Sequence, residues 1–313
     1  MQSPSCSVVI PSYNAVAYLP AAIASIEAQA VRDIEVLVFD DGSTDGTAAW
    51  LAQAQATRPW LRIFIGGGHG PARARNFLIE KANSDLVAFL DADDVWYAGK
   101  LAPQIAFHAA HPDCSFTFTD YRHIDVAGAS LGGAFEYWQP GFARGVADGF
   151  HMLDDPLSAL LACNVAGTST VVAKSQALQN ANGFDEALPS AEDWDLWLRL
   201  AATGGVAFSA AVTTDYLVRP GSETANRASR IRAMQTILSR HAHKRLAPDA
   251  MRKARAQLLA VQAEEAAISG RMADALGFRL AALVRKPDRR NALEATAAAL
   301  RFGGFKRTGE VAC

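Results

Sequence analysis

Cysteine is scarce in this sequence: four in 313 residues, Cys6, Cys114, Cys163 and Cys313. They lie far apart and no Cys-x-x-Cys pair occurs, which argues against zinc and a disulfide framework and for a reducing cytosol. Long apolar runs are also missing. With no stretch of about 18 apolar residues, nothing is expected to span a membrane. The N-terminus lacks the basic segment and apolar run of a secretory signal, since Ser7–Ile10 is followed at once by Pro11. No internal repeat and no low-complexity tract occur beyond an alanine bias. Net charge is small too, at a formal −2.

That near-neutrality hides an asymmetry. Residues 1–225 carry 12 Lys+Arg against 25 Asp+Glu, a net of −13, and residues 226–313 carry 18 against 7, a net of +11. An acidic body with a basic tail argues against nucleic acid as the partner. The tail instead suits either packing on the body or an anionic cytoplasmic membrane surface. Its clusters are Arg240–Arg245, Arg252–Arg255 and Arg285–Arg290.

Half of the residues are apolar, enough for a sizeable core. Over the first hundred residues, short apolar runs alternate with helical patterns. Strands are expected at Ser7–Ile10, Ile34–Phe39, Leu61–Ile65 and Leu86–Leu90. Helices are expected over Val16–Ala30, over Thr44–Ala56 with Asp41 or Ser43 as cap, and from Pro71 to about Ala82. Such alternation predicts an α/β fold with a parallel sheet and helices on both faces. Further on, Phe116–Thr119 and Val165–Ala173 read as strands, Gly128–Gly149 as a loop, and a helix begins near Glu192. From about Asn226 the chain reads as three or more helices punctuated by Pro248 and Pro287. The expected domains are 1–225 and 226–313.

In open parallel sheets, ligands bind beyond the carboxyl ends of the strands. The residues following the four runs are Pro11-Ser12-Tyr13-Asn14, Asp40-Asp41-Gly42-Ser43, Gly66-Gly67-Gly68-His69-Gly70 and Asp91-Ala92-Asp93-Asp94. The last is the sharpest. Carboxylates crowded within four residues repel one another and suit a divalent cation with oxygen ligands and positions open for phosphate. An isolated acidic turn is the plain alternative. Asp41 has two readings, a helix-capping turn or an acceptor for a base N–H. The glycine run lacks the Gly-Lys-Ser/Thr ending of a phosphate loop and reads as a flexible connection. Arg73 and Arg75 are placed to meet a phosphate or an acidic neighbour. On a helix, Asp193 shares the apolar face of Leu196, Trp197 and Leu200, which suits a general base. Asp195 and Arg199, four apart, read as a surface ion pair.

Taken in order, Ser7–Asn14 (SVVIPSYN), Glu35–Thr44 (EVLVFDDGST), Ala72–Asn76 (ARARN), Phe89–Trp96 (FLDADDVW), Gly183–Glu186 (GFDE) and Glu192–Leu200 (EDWDLWLRL) resemble the motif series of family-2 glycosyltransferases. The resemblance covers roughly residues 5–224. It implies a GT-A fold, Rossmann-like and built for nucleotide-diphospho-sugars, with residues 226–313 as a helical extension. It implies a nucleotide-sugar donor of the UDP type, a glycan or lipid-linked acceptor, and Mn²⁺ or Mg²⁺. By position, Pro11, Tyr13, Asn14 and Asp41 would serve the nucleotide, and Arg75 the donor. Asp91 and Asp93 would serve the ribose and diphosphate end and the metal. Asp193 would be the base of an inverting displacement. Thr213–Thr224 is similar to the family's mobile loop: Tyr216, Arg219 and Ser222 match, Leu217 departs from the usual Arg, and Arg219 would take over the diphosphate. A sugar nucleotidyltransferase and a non-catalytic nucleotide-sugar-binding protein are the alternatives.

Overall fold

The computed structural model describes residues 4–219 and 226–302. Its chain clusters into two compact units. One takes in the described residues up to Pro156 with Asn164–Ala187 and Glu192–Arg219; the other takes in Leu157–Cys163, Leu188–Ala191 and the described residues from Asn226 onward.

The first unit is α/β. Strands β1 (Cys6–Ser12), β2 (Ile34–Asp40), β3 (Leu61–Ile65) and β4 (Leu86–Phe89) alternate with helices α1 (Leu19–Glu27), α2 (Thr47–Ala56) and α3 (Pro71–Lys81). β1 and β2 are almost wholly buried, as their unbroken runs of Val, Ile, Leu and Phe require. Pairing is parallel between β3 and β2, β2 and β1, and β1 and β4. The chain runs outward from β1 to β3 and then returns to β4 on the other side of β1. That reversal opens a crevice at the carboxyl ends of β1 and β4.

Beyond β4 the sheet is mixed rather than parallel. Its order continues through β9 (Val172–Lys174), β6 (Cys114–Ile124), β10 (Gly205–Leu217) and β5 (Val95–Trp96). β9 runs antiparallel to both β4 and β6. The run Val165–Ala173 is a strand only at its end, because Thr168–Thr170 form a 3-10 turn first. Gly128–Gly149 is not only loop. It holds β7 (Ser130–Gly133) and the short α5 (Ala134–Trp138), and the Asp120 carboxylate accepts the Phe135 N–H near the start of that helix. β8 (His151–Met152) pairs with β10, and α4 (Leu101–Ala110) and α7 (Ser175–Asn180) complete the unit before α8 (Glu192–Ala201).

α2 starts at Thr47, later than its alanine pattern predicts, and neither Asp41 nor Ser43 caps it. Its cap position is Gly46 at φ 97, and Asp45 accepts the Thr47 N–H. Asp41 and Ser43 are engaged elsewhere, as described below.

The second unit is helical: α6 (Pro156–Ala162), α9 (Arg227–His241), α10 (Ala250–Ile268), α11 (Met272–Arg285) and α12 (Arg289–Phe302). Pro248 and Pro287 fall between helices as expected, and a further break comes at Gly270, φ 74. Buried alanines (Ala254, Ala263, Ala266, Ala275, Ala282) line the helix contacts. Arg279, nine-tenths buried, reaches Glu264 and Glu294, both at 3.4 Å, and so ties α10, α11 and α12 together.

Candidate active site

Aromatic packing fixes the distance between the two halves of the site. Phe89, at the end of β4, meets Trp197 of α8 with ring centroids 5.5 Å apart, and Phe184 lies edge-on to both. Phe116 of β6 closes the cluster on Trp197 at 5.4 Å. Each such buried side chain is worth about 1.5–3 kcal/mol. Two residues after Phe89 comes Asp91, and four before Trp197 comes Asp193. One core cluster therefore anchors both the acidic strand end and the start of α8.

Arg75 links them directly. It is buried on α3, 2.6 Å from Asp91 and 2.9 Å from Glu192. Burial works against its charge, but Asp91 and Glu192 outweigh that and hold the guanidinium firmly protonated. Both terminal nitrogens are thus occupied by acidic neighbours, one of the two expectations for this residue. Its neighbour Asn76 clasps the Gly183–Glu186 loop, accepting from Phe184 N and donating to Phe184 O and Glu186. A Cβ on Gly183 would come within 2.3 Å of the Asn76 Oδ1.

The three carboxylates of the strand end have different surroundings. Asp91 and Asp93 reach the cleft with side chains 24% and 21% exposed. Asp93 is paired at 2.7 Å with Arg219, whose guanidinium also lies 5.5 Å over the Tyr18 ring. That hydrogen bond raises the Arg219 pKa. Asp94 is buried. Its carboxylate accepts from Ser169 Oγ at 2.5 Å and Leu217 N at 3.1 Å, and burial, with the Asp91 and Asp93 charges beside it, holds the carboxyl well above the ordinary range. It organises the loop rather than facing the cleft. Of the mobile-loop matches, Tyr216 and Arg219 are described, while Ser222 lies outside the described residues.

A divalent cation fits this group. Among the described residues no three His, Cys, Asp or Glu side chains converge on one point. A hard cation shared with a diphosphate needs only one or two carboxylates. Asp93 and Asp91 supply oxygen donors, each partly exposed at the strand end.

On the neighbouring strand ends, Pro11 lies within β1 and Tyr13 is 59% exposed at its tip. Asn14, at φ 47, donates its N–H to Ser43 Oγ and accepts from Thr44 N, both at 2.8 Å, so it clips the β1 loop to the β2 loop. Asp41 is buried and accepts from His69 N at 2.9 Å and Gly70 N at 2.7 Å. The glycine run is therefore pinned, not a loose connection. A Cβ on Gly66 would enter the Phe39 ring.

Asp193, at the start of α8, accepts from its neighbour Trp194 N at 2.7 Å and from Thr168 Oγ1 at 2.8 Å. Asp195, two residues on, is fully buried, so its bond to Arg199 is not the surface pair that spacing suggested. Arg199 also donates to Ala181 O and Gly183 O, drawing α8 onto the Gly183 loop. Sequence reading missed Thr168 and Ser169. The one signal was a Gly-Thr-Ser-Thr interruption in an apolar run.

The fold defines a class: an α/β architecture of the GT-A type, with a crevice at the carboxyl ends of β1 and β4. Residues 7–153, just under half of the chain, match the family model described as Glycosyl transferase family 2. It is 38% identical over 129 residues to the putative teichuronic acid biosynthesis glycosyltransferase TuaG of Bacillus subtilis, covering 41% of this chain and 51% of that one. The chain spans about a third to a half of the length of such curated relatives. Staphylococcus aureus TarS 1–349 in complex with UDP-GlcNAc superposes with a TM-score of 0.65 at 16% identity, over 98% of this chain and 94% of that one. The mannosyltransferase PcManGT from Pyrobaculum calidifontis, in complex with GDP-Man and Mn²⁺, gives 0.64 at 21% identity, over 96% and 81%.

Proposed function

We propose that this protein is an inverting glycosyltransferase that moves a sugar from a nucleoside-diphosphate sugar, of the UDP type, to a hydroxyl of a glycan or lipid-linked acceptor in cell-surface polysaccharide synthesis. The observation carrying this reading is the Asp193 carboxylate, held by the Phe89–Trp197 packing against the strand end that bears Asp91 and Asp93. TuaG's name supports the polysaccharide context, and the UDP-GlcNAc in TarS supports the donor class. A nucleotidyltransferase is disfavoured because Pro11-Ser12-Tyr13-Asn14 stands where such enzymes carry a glycine-rich, arginine-containing loop.

In this mechanism Asp193 takes the proton of the acceptor hydroxyl. The oxygen forms its bond to the anomeric carbon as the bond to the diphosphate breaks, and the electron pair leaves on the diphosphate oxygen. A single displacement inverts the anomeric centre. Tyr13, with Pro11 and Asp41, flanks the base, and Arg219 moves from Asp93 to the diphosphate. A Mn²⁺ or Mg²⁺ held by Asp93 and Asp91 would supply Lewis-acid stabilisation of the leaving group. Asp193→Asn should lower kcat by at least ~10²-fold while leaving nucleotide affinity within a few-fold. Titration calorimetry with UDP and Mn²⁺, beside turnover over a panel of UDP- and GDP-sugars, reads both; a fully active variant would refute the base assignment.

The same reading places the protein on the inner face of the membrane, as a cytoplasmic peripheral protein. Among the described residues no helix is long and apolar enough to cross a bilayer. In the helical unit, Leu280 and Val284 of α11 and Leu293 and Leu300 of α12 are exposed, among Arg285, Lys286, Arg289, Arg290 and Arg301. An apolar groove of about 430 Å³ floored by Leu238, Leu258 and Leu259 carries Arg255 and Arg285 in its lining. Each basic side chain near an anionic leaflet contributes ~1 kcal/mol. The protein should float with phosphatidylglycerol vesicles at low salt and not with phosphatidylcholine alone, and Val284→Asp with Leu293→Asp should weaken flotation. No binding to the anionic vesicles would remove this part of the reading.

A further inference from the structure

Three successive hydroxyl side chains, Thr168, Ser169 and Thr170, are buried in the 3-10 turn before β9, with exposures of 7%, 4% and 1%. Buried hydroxyls are costly unless bonded, so their partners are informative. Thr170 turns back on its own turn and donates to Gly167 O. The other two reach the two halves of the site. Ser169 Oγ donates to Asp94 and accepts the Asp91 N–H at 3.0 Å. Thr168 Oγ1 donates to Asp193 Oδ2 at 2.8 Å.

The backbone of the turn has little freedom. Ser169 O accepts the Trp96 indole N–H at 2.6 Å, and Val171 O accepts the Phe89 N–H at 3.2 Å. The Tyr121 ring lies so close to Gly167 that a Cβ there would sit 2.8 Å from it. The elements that hold Asp91 and Asp94 therefore also hold the Thr168 hydroxyl.

We infer that Thr168 is a positioning residue for Asp193, and that the Thr168–Ser169 turn is the gauge that sets the base against the donor carboxylates. The inference rests on the reading of Asp193 as the base. Asp193 receives one hydrogen bond on each oxygen, from Thr168 and from the Trp194 N–H. Together they fix the carboxylate's rotation, and each oxygen keeps a lone pair for the acceptor hydroxyl. Among the described residues, without the Thr168 donor only the bond within α8 remains, and the carboxylate turns about its own side-chain axis.

The test uses Thr168→Val, which removes the hydroxyl at nearly constant volume, and Thr168→Ser, which restores it. Hydrolysis of UDP-GlcNAc, UDP-glucose and GDP-mannose with Mn²⁺ gives kcat and KM. Thr168→Val should lose roughly 10- to 100-fold in kcat with donor KM within about twofold, and Thr168→Ser should recover most of it. A merely structural role would move KM and thermal stability along with kcat and would not be rescued by serine, and that pattern overturns the inference. A stability cycle of Thr168→Val and Asp193→Ala needs no substrate; coupling in the unfolding constant should be about fivefold or more, and its absence also overturns the inference. Unchanged kcat in Thr168→Val overturns it in either case. If Asp193→Asn is then inactive, the fault lies with Thr168 alone; if Asp193→Asn is active, the base assignment has failed as well.

Discussion

Among the described residues, Lys100 has no carboxylate partner. Its ammonium lies 4.3 Å over the Trp96 ring and donates to Gln104 Oε1 at 2.8 Å, with only 2% of the residue exposed. Burial pushes its pKa down to about 7. The unfolded chain holds that proton up to about pH 10.4. Between those values the unfolded state binds more protons, so stability rises with pH from about 7 towards 10; below pH 7 the penalty is constant. Lys100→Met should therefore be more stable than the wild type at pH 6.5, and the gap should shrink by about 3 kcal/mol by pH 9.5 in urea unfolding. A gap independent of pH would contradict the assignment. At this scale the sequence was informative for where a side chain stands along the chain, such as Asp91 and Asp93 after a strand. It was silent on Thr168, whose partner is 25 residues away. It misjudged Asp195, because an i, i+4 pair on a helix looks the same whether the face is wet or buried.

Elements were legible where periodicity was strong and unopposed. β3 falls on Leu61–Ile65 as its apolar run predicts, and α3 begins at Pro71. Elements whose limits depend on tertiary hydrogen bonds were not legible. The start of α2 is set by a left-handed Gly46, and β9 is shortened by a 3-10 turn whose Thr168 and Ser169 hydroxyls bond outside their own run. α6 shows the same principle at the level of allegiance. Its Leu157, Leu160 and Leu161 are buried, yet it belongs with the C-terminal helices: Ser158 Oγ accepts from Ala247 N, and Ala162 O from Gln257. A chain ending at residue 225, the boundary that composition suggested, lacks the residues that bond to Ser158 and Ala162. It should aggregate or bind a hydrophobic dye, whereas a chain through residue 302 should not. Size-exclusion chromatography decides, and a monodisperse, cooperatively melting 1–225 chain would count against this account of α6.

For the molecule as a whole, the charge asymmetry read from composition coincides with a structural partition: the α/β unit holds the acidic clusters and the helical unit the basic ones. Which segments join each unit was not legible, because the chain passes between them more than once and local patterning does not record such returns. This path has a consequence for synthesis on the ribosome. The leucines of α6 emerge roughly a hundred residues before Gln257, which bonds to that helix. At about 5–20 residues per second, they wait on the order of ten seconds for their partners. During that interval the nascent chain carries a sticky helix, a natural point for a chaperone to engage.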